Sequence, residues 1–248
     1  MSDEASPHRT AAVIPAAGRG VRLGPGAPKA LRALGGAPML IHAVRAMAAS
    51  RAVELVVVVA PSDGATEVKN LLDAHPLPDR TDYVVVPGGD TRQESVALGL
   101  KALPDGITTV LVHDAARPLV PVDVVDAVVE TVRAGAQAVV PALPLADTVK
   151  QVEPRGDGVP EPVIATPDRS TLRAVQTPQG FERGVLQLAH DTIGHTGEGA
   201  TDCAGMVERL GSPVVVVPGH EEAFKVTRPL DLVLAESVLA RRRANDEF

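Results

Sequence analysis

The sequence predicts an α/β fold of three layers, α/β/α, built on a mostly parallel sheet. Three observations carry that expectation. Short Val-rich runs alternate with amphipathic stretches, the pattern of βαβ units around a sheet buried on both faces. A length of 248 residues suits one generous α/β domain as well as two small ones. Hydrophobic residues at 45% and charged residues at 22% are ordinary for a globular chain, and 22 Gly with 22 Pro stay below the roughly 25% that marks low-complexity disorder.

The elements follow in order. Strands are expected at residues 11–15, 54–60, 83–86, 109–113, 138–142 and 214–217, each a short run of apolar, mostly β-branched residues. Between the first two, residues 38–49 open with Pro38 at the expected first helical position and place Leu40, Val44 and Met47 on one apolar face. Ser62 is the expected cap of a helix running to Ala74. Residues 93–103 bring Val96, Leu100 and Leu103 together, and residues 121–134 do the same with Val124, Val125, Val128 and Val132 before Gly135. From Asp147 to Arg169 the pattern breaks into DTVKQVEPRGDGVPEPVIATPDR, where polar and β-branched residues alternate around a Gly/Pro-rich centre. That composition fits a hairpin reaching out from the body and a disordered surface insertion equally well. Helices are then expected around residues 182–191 and 202–210, and a last one over 229–242.

Composition excludes several classes of function. The net charge is −7, so an anionic ligand must be held at a local site and not by a general basic face. Nucleic-acid partners are disfavoured further because Tyr83, Phe181, Phe224 and Phe248 are the only aromatics, too few for a base-stacking platform. Cys203 is the one cysteine, which excludes an internal disulfide framework and a cysteine zinc cage. No apolar run approaches the roughly 18 residues of a membrane span. MSDEASPHRT at the start lacks a signal-peptide pattern, so a cytoplasmic protein without membrane partners is expected.

In an open parallel sheet, ligands bind beyond the carboxyl ends of the strands. After the first strand comes PAAGRGVRLGPGAPKAL, where Ala16, Ala17, Gly18 and Gly20 clear side chains so that backbone N–H groups can approach an anion. Arg19, Arg22 and Lys29 add positive charge. Leu23 stands where a dinucleotide fingerprint needs its third glycine, and no Gly-Lys-Ser/Thr follows, so this is neither a Rossmann fingerprint nor a Walker loop. A triphosphate cradle built of amides, Arg and Lys remains. After the third strand, PGGDTRQES offers Gly88 and Gly89 for close approach and Asp90, Arg92 and Ser95 as polar contacts; alone it is also an ordinary strand-to-helix turn. The fourth strand ends in VHDAARP, putting Asp114, Ala115 and Arg117 at the sheet edge, with Asp114 placed for a Mg²⁺ ion or a ligand hydroxyl. Lys225 and Thr227 lie in FKVTRPLDL, just ahead of the last helix.

Taken together, AAGRGVR with Lys29, GGDTRQES, LVHDAARP, DTVK, Gln176-Thr177-Pro178-Gln179, Thr201-Asp202 and KVTRPLDL resemble, in their order, the 2-C-methyl-D-erythritol 4-phosphate cytidylyltransferases. The resemblance runs over residues 11–240. It implies a Rossmann-like nucleotidyltransferase fold with a protruding β-arm: a flexible tail at 1–10, a single domain at 11–243 whose residues 147–169 form a dimerisation arm, and a tail at 244–248. It implies that the phosphate of methylerythritol phosphate attacks the α-phosphorus of CTP with Mg²⁺ bound, releasing pyrophosphate. Arg22 and Lys29 match residues that stabilise the transition state. Arg169 and Lys225 match residues that orient the acceptor phosphate. Ala16, Ala17, Gly18 and Gly20 with Gly89, Asp90 and Ser95 are the nucleotide binders so implied, and Asp114 and Ala115 lie near ribose, metal or acceptor. Thr148, Arg169, Thr201 and Lys225 match acceptor-binding positions, to which Arg117 and Thr227 are added from the same motifs. In the family the arm swaps across a homodimer, so each site draws on both chains.

The chain departs from the family at Cys203-Ala204-Gly205, where relatives commonly carry an acidic residue, Ala and Ser. Cys203 is read as a small packed residue and not a nucleophile, because no His lies in a neighbouring motif. A sister activity on ribitol 5-phosphate is the nearest alternative, and a non-catalytic nucleotide-binding module a more distant one.

Overall fold

The computed structural model describes residues 8–18, 28–193 and 201–246. Gly20, Arg19 and Arg22 of the first loop lie outside the described residues. The chain opens with β1 (Arg9–Pro15), then a small hairpin of β2 (Ala33–Leu34) and β3 (Ala37–Pro38). There follow α1 (Met39–Ala49), β4 (Val53–Ala60), α2 (Ala65–Asp73), β5 (Asp82–Pro87), α3 (Arg92–Lys101), β6 (Ile107–Val112), α4 (Val122–Arg133) and β7 (Ala138–Pro144). The rest comprises β8 (Gln151–Val152), β9 (Val163–Ala165), β10 (Arg173–Val175), β11 (Gln179–Glu182), α5 (Arg183–Ile193), α6 (Cys203–Arg209), β12 (Val214–Pro218) and α7 (Pro229–Asp246).

The main sheet runs β10-β7-β11-β6-β1-β4-β5, with β12 also paired to β7. Pairings among β5, β4, β1 and β6 are parallel, as is β12 with β7. The chain builds outward from β1 to β4 and β5, then returns to lay β6 on the other side of β1. That reversal opens a crevice beyond the carboxyl ends of β1 and β6, the ligand position of an open α/β sheet.

The Val-rich strands have the alternation that a doubly covered sheet requires, since successive side chains point to opposite faces. Ala12, Ile14, Val56 and Val58 pack with Leu40 of α1, Leu72 of α2 and Val125 of α4. On the other face Ala11, Val13, Val57 and Val59 pack with Val96 of α3, Leu186 of α5 and Met206 of α6. α7 joins neither layer. Its Ala235 and Val238 pack on Leu34, Met39, Leu119 and Val226.

The expected strands are present, each displaced by at most two residues at an end. Other details differ. Pro38 is the N-cap of α1 and not its first helical residue, because its backbone (φ −58°, ψ 145°) is still extended where β3 pairs with β2. α2 starts at Ala65 with Gly64 as N-cap, and Ser62 lies in the preceding turn, which the Gly64 N–H closes on the Pro61 carbonyl. β10 and β11 were not expected: β11 enters antiparallel between β6 and β7, a pairing no local pattern encodes. Arg9 and Thr10, assigned to a flexible tail, belong to β1, and α7 continues through residues 244–246 of the expected C-terminal tail. The Arg9 guanidinium ties the strand start to Glu54 at 2.8 Å.

The segment at 147–169 contains an antiparallel pair, Gln151 opposite Ala165 and Val152 opposite Val163, so the hairpin alternative holds over the disordered one. Its Val163 and Ile164 are 56% and 61% exposed. Among the described residues no helix is long and apolar enough to cross a membrane.

One close approach fixes how α3 sits on the sheet. A Cβ built on Gly99 would lie 2.5 Å from Val13 Cγ1 and 3.0 Å from Val59 Cγ2. Gly99→Ala gains about 1 kcal/mol of helix propensity. It loses about 1–3 kcal/mol to overpacking against two buried strands. The expected outcome is a lower urea midpoint for the variant, and a raised midpoint would contradict this packing.

Candidate active site

Three strand ends build the site. β1 leads into Ala16, Ala17 and Gly18, and the Ala16 N–H donates to the Val59 carbonyl at 2.8 Å, holding the turn against β4. β5 leads into Gly88, Gly89 and Asp90. Here α3 starts with a capping box: Thr91 Oγ1 accepts from the Glu94 N–H at 3.1 Å, and the Glu94 carboxylate accepts from the N–H groups of Thr91 and Asp90 at 3.1 and 2.8 Å. The motif T-x-x-E is legible in TRQE. Gly89 has to be glycine because a Cβ there would lie 2.5 Å from the Glu94 Cβ. Ser95 is buried, and its hydroxyl meets the Gly89 N–H at 3.2 Å.

β6 leads into His113, Asp114, Ala115 and Ala116. The His113 N–H donates to Val13 at 3.0 Å, and the Asp114 N–H donates to Thr177 Oγ1 at 3.1 Å. The Arg117 carbonyl can only accept, so His113 Nε2 is the donor across their 3.0 Å contact, which leaves Nδ1 to accept from the Thr177 hydroxyl at 3.0 Å. A neutral ring suits these partners. Burial lowers the His113 pKa to about 4, against the opposing charge of Asp114.

Asp114 is the centre of charge. Its Oδ1 accepts from Arg92 Nη2 at 3.1 Å and Nε at 3.3 Å, and its Oδ2 accepts from Lys225 Nζ at 2.6 Å. Burial would raise this carboxyl's pKa, but the Arg92 and Lys225 charges outweigh it and hold the group well below the usual carboxylate range. Lys225 reaches Asp114 because the segment before α7 is tied at two points: the Val226 N–H donates to the Ala116 carbonyl at 2.8 Å, and Arg117 Nη1 donates to the Ala223 carbonyl at 2.6 Å. Thr227 borders the cavity, while its N–H and hydroxyl donate to Asp231 Oδ2 at the start of α7, both at 2.8 Å.

The result is a cavity of about 290 Å³, at the small end of small-molecule sites. Of the residues expected from the sequence, Ala16, Ala17, Gly18, Lys29, Gly89, Asp90, Ser95, Asp114, Ala115, Lys225 and Thr227 line it together. Gly20 and Arg22 fall outside the described residues. Arg117, expected at the substrate, does not line the cavity; its guanidinium is spent on the carbonyls of Ala223 and Val175, with its buried Nε unpaired among the described residues. Thr148 and Arg169 are exposed residues of the arm segment and do not reach this cavity, and Arg169 bonds the Ala146 carbonyl. Thr201 is exposed, next to the Asp202 cap of α6.

Sequence reasoning underrated Arg92. A signal existed: an arginine as the first residue of a helix sits at the positive end of the macrodipole, a placement that calls for an acidic partner. Cys203 needs a correction of reason. A histidine does lie within reach, since His190 Nε2 is 3.8 Å from Sγ, and Arg92 Nη1 is 3.7 Å away on another side. Burial nevertheless pushes the thiol pKa up despite the Arg92 charge, so the sulfur is a packed thiol and not a nucleophile.

The fit to a metal ion is limited but definite. Among the described residues no group of three or more His, Cys, Asp or Glu side chains could hold one. Mg²⁺ needs no such cage, because it commonly takes one or two carboxylates and completes its shell with water and substrate phosphates. Asp114 and Asp90 are the carboxylates that line the cavity.

Comparison with known proteins places this geometry. The model of the family described as IspD, 2-C-methyl-D-erythritol 4-phosphate cytidylyltransferase, matches residues 10–241. A protein of that description from Streptomyces avermitilis is 76% identical, with 100% of both chains covered. One from Streptomyces coelicolor is 78% identical over 98% of this chain and 89% of its own. Among solved structures, the 2-C-methyl-D-erythritol 4-phosphate cytidylyltransferase of Thermus thermophilus is similar with a TM-score of 0.70 at 36% identity, covering 92% of this chain and 97% of that one. The 4-diphosphocytidyl-2C-methyl-D-erythritol synthase of Anaerococcus prevotii has a TM-score of 0.79 at 26% identity, covering 94% and 96%.

The packing behind the cavity has a pH signature. Burial, with the Arg92 charge beside it and against the pull of Asp191, lowers the His190 pKa to about 4, while the facing Cys203 stays a thiol. Between about 6.5 and 4 the unfolded chain therefore binds a proton that the folded one refuses. This stabilisation is complete above pH 6.5 and disappears as the pH falls toward 4. His113, lowered to about 4 as well, adds to the same slope, so thermal melts should show Tm declining through that window and His190→Gln should make the decline shallower without removing it. An equally steep slope in the variant would contradict the assignment.

Proposed function

The chain belongs to the 2-C-methyl-D-erythritol 4-phosphate cytidylyltransferase family, and we propose that the cavity around Asp114 is where it performs the family's reaction. The enzyme is a cytidylyltransferase that joins CTP to 2-C-methyl-D-erythritol 4-phosphate, giving 4-diphosphocytidyl-2-C-methyl-D-erythritol in isoprenoid precursor synthesis. The ribitol 5-phosphate alternative and the non-catalytic one are set aside by full-length identity of 76% to a cytidylyltransferase named for methylerythritol phosphate. The observation that carries the location is the convergence of Lys29, Asp114 and Lys225 with the glycine-lined ends of β1 and β5 on one cavity.

A phosphate oxygen of the acceptor forms a bond to the α-phosphorus of CTP while the bond to the β-phosphate oxygen breaks, and pyrophosphate leaves. The attacking phosphate is already ionised near neutral pH, so no side-chain nucleophile or base is required. What the step asks of the protein is alignment and charge neutralisation. Backbone groups of Ala16, Ala17, Gly18 and Gly89, with Asp90 and the Ser95 hydroxyl, hold the base and ribose, and Ala115 closes that side. Lys29 lines the cavity and stabilises the charge of the transferring group, a role shared by Arg22, and Gly20 belongs to the nucleotide loop by its motif. Lys225 exchanges its contact with Asp114 for the acceptor phosphate, and Thr201 and Thr227 belong to the acceptor side, while Arg117 holds the backbone behind it. Asp114 is the carboxylate that would hold a Mg²⁺ ion together with substrate phosphate, and the ion would supply further neutralisation of the triphosphate. A cytoplasmic location belongs to the same reading, since the donor is CTP.

Thr148 and Arg169 enter by a different route. They sit on a projecting segment whose β9 residues Val163 and Ile164 are exposed, and their own cavity does not include them. In a homodimer that exchanges arms, each segment would deliver Thr148 and Arg169 to the partner's acceptor site.

Two experiments test these assignments. Pyrophosphate release should be seen with CTP and methylerythritol phosphate, and should fall strongly when UTP, ATP or GTP replaces CTP or ribitol 5-phosphate replaces the acceptor; no turnover with the first pair would sink the reading. For the arm, Lys29→Ala and Arg169→Ala subunits, each inactive alone, are mixed after unfolding. Random exchange leaves half the dimers mixed, each with one intact site, so roughly a quarter of wild-type activity should return. Subunits that each use their own arm would regain none.

A further inference from the structure

We infer that Arg92 is a positioning residue of the reaction, acting through Asp114 to leave Lys225 available to the acceptor phosphate. The inference rests on the reading of Lys225 as the acceptor's phosphate ligand.

The geometry divides one carboxylate between two cations. Arg92 places two nitrogens on Oδ1, at 3.1 and 3.3 Å, and Lys225 alone occupies Oδ2 at 2.6 Å. The Asp114 side chain is 12% exposed, against 31% for Arg92 and 39% for Lys225. Lys225 is thus the outer, releasable partner and Arg92 the inner, fixed one. The remaining Arg92 nitrogen points to the protonated thiol of Cys203 at 3.7 Å, and among the described residues no second carboxylate pairs with the guanidinium to draw it from Asp114. Its backbone is equally fixed, because it begins α3 directly after the Thr91 capping box.

The consequence concerns the moment Lys225 turns to a substrate phosphate. A carboxylate stripped of its only cation in a largely buried position is strongly disfavoured. With Arg92 in place, Oδ1 keeps a charged partner and the exchange at Oδ2 leaves no uncompensated group. Without Arg92, Lys225 becomes the only side-chain cation on Asp114 and is held there, in competition with the acceptor and with a metal ion at that carboxylate. Arg92 also lines the cavity, but its guanidinium nitrogens are engaged by Asp114 and Cys203, so CTP, bound through the loops after β1 and β5, does not depend on that exchange. The predicted defect is selective for one of two substrates, which a general loosening of the site would not produce.

The test is steady-state kinetics on the full-length enzyme, varying each substrate at saturating levels of the other, for wild type, Arg92→Gln, Arg92→Lys and Lys225→Ala. Arg92→Gln is expected to raise the acceptor KM about tenfold, as for loss of one charge-assisted hydrogen bond, and to shift the CTP KM by less than about twofold. Arg92→Lys, which keeps the charge but not the two-point contact, should leave a smaller rise of about two- to threefold, confined to the acceptor KM. An unchanged acceptor KM in a folded Arg92→Gln enzyme, or equal rises for both substrates, would overturn the inference. If Arg92→Gln does not fold, Arg92→Lys decides alone: a rise confined to the acceptor supports it, and equal rises or none oppose it. Lys225→Ala separates the two levels of argument. If it leaves the acceptor KM unchanged, the role given to Lys225 fails; if it raises that KM while Arg92→Gln does not, only the role of Arg92 fails.

Discussion

Burying a carboxylate at the end of a hydrophobic strand is unfavourable by several kcal/mol unless its charge is met nearby, and Asp114 sits in that position after β6. One cation at about 4 Å returns about 4 kcal/mol at an effective dielectric of 20, which roughly cancels the penalty and leaves little over. Two cations tip the balance, and the site has two. Arg92 and Lys225 come from the start of α3 and from the irregular segment before α7, so one ion cluster ties Asp114 to residues 22 and 111 positions away. The carboxylate therefore fixes the start of α3 and the segment before α7 to the end of β6.

The backbone supports that cluster from behind. His113 is held by Val13 and by Arg117, and Thr177 links the Asp114 N–H to the His113 ring. Thr177 lies just before β11, whose antiparallel insertion between β6 and β7 brings it there. Arg117 serves the same frame by anchoring the carbonyls of Ala223 and Val175. A chain with net charge −7 can in this way present cations to two phosphorylated substrates, because local geometry and not the average decides the field at the site.

Within one chain the cavity gathers most of the residues proposed for the nucleotide and few of those proposed for the acceptor. Of the acceptor-side residues, Lys225 and Thr227 line the cavity, whereas Thr148 and Arg169 project on the arm segment and Arg117 is turned to the backbone. Exposed Val163 and Ile164 on a two-stranded hairpin are a liability for an isolated chain, since such a pair is marginally stable in water without packing. The proposed arm exchange answers both features together, covering the hairpin and completing the acceptor side.

What the sequence determined by itself was whatever depends on near neighbours. The Val runs announced the parallel strands, 3.6-residue spacing announced the main helices, TRQE announced the cap of α3, and the loop motifs announced Lys29, Gly89, Ser95, Asp114 and Lys225. These signals are local because strand pleat, helix period and capping each act within a few residues. Tertiary structure alone decided the insertion of β11, the turning of Arg117 to Ala223 and Val175, the meeting of Cys203 with His190 and Arg92, and the sharing of Asp114 between Arg92 and Lys225. Each joins residues far apart in the chain. A composition or period carries no record of such a meeting, because it arises only when the sheet order brings distant strand ends to the same edge.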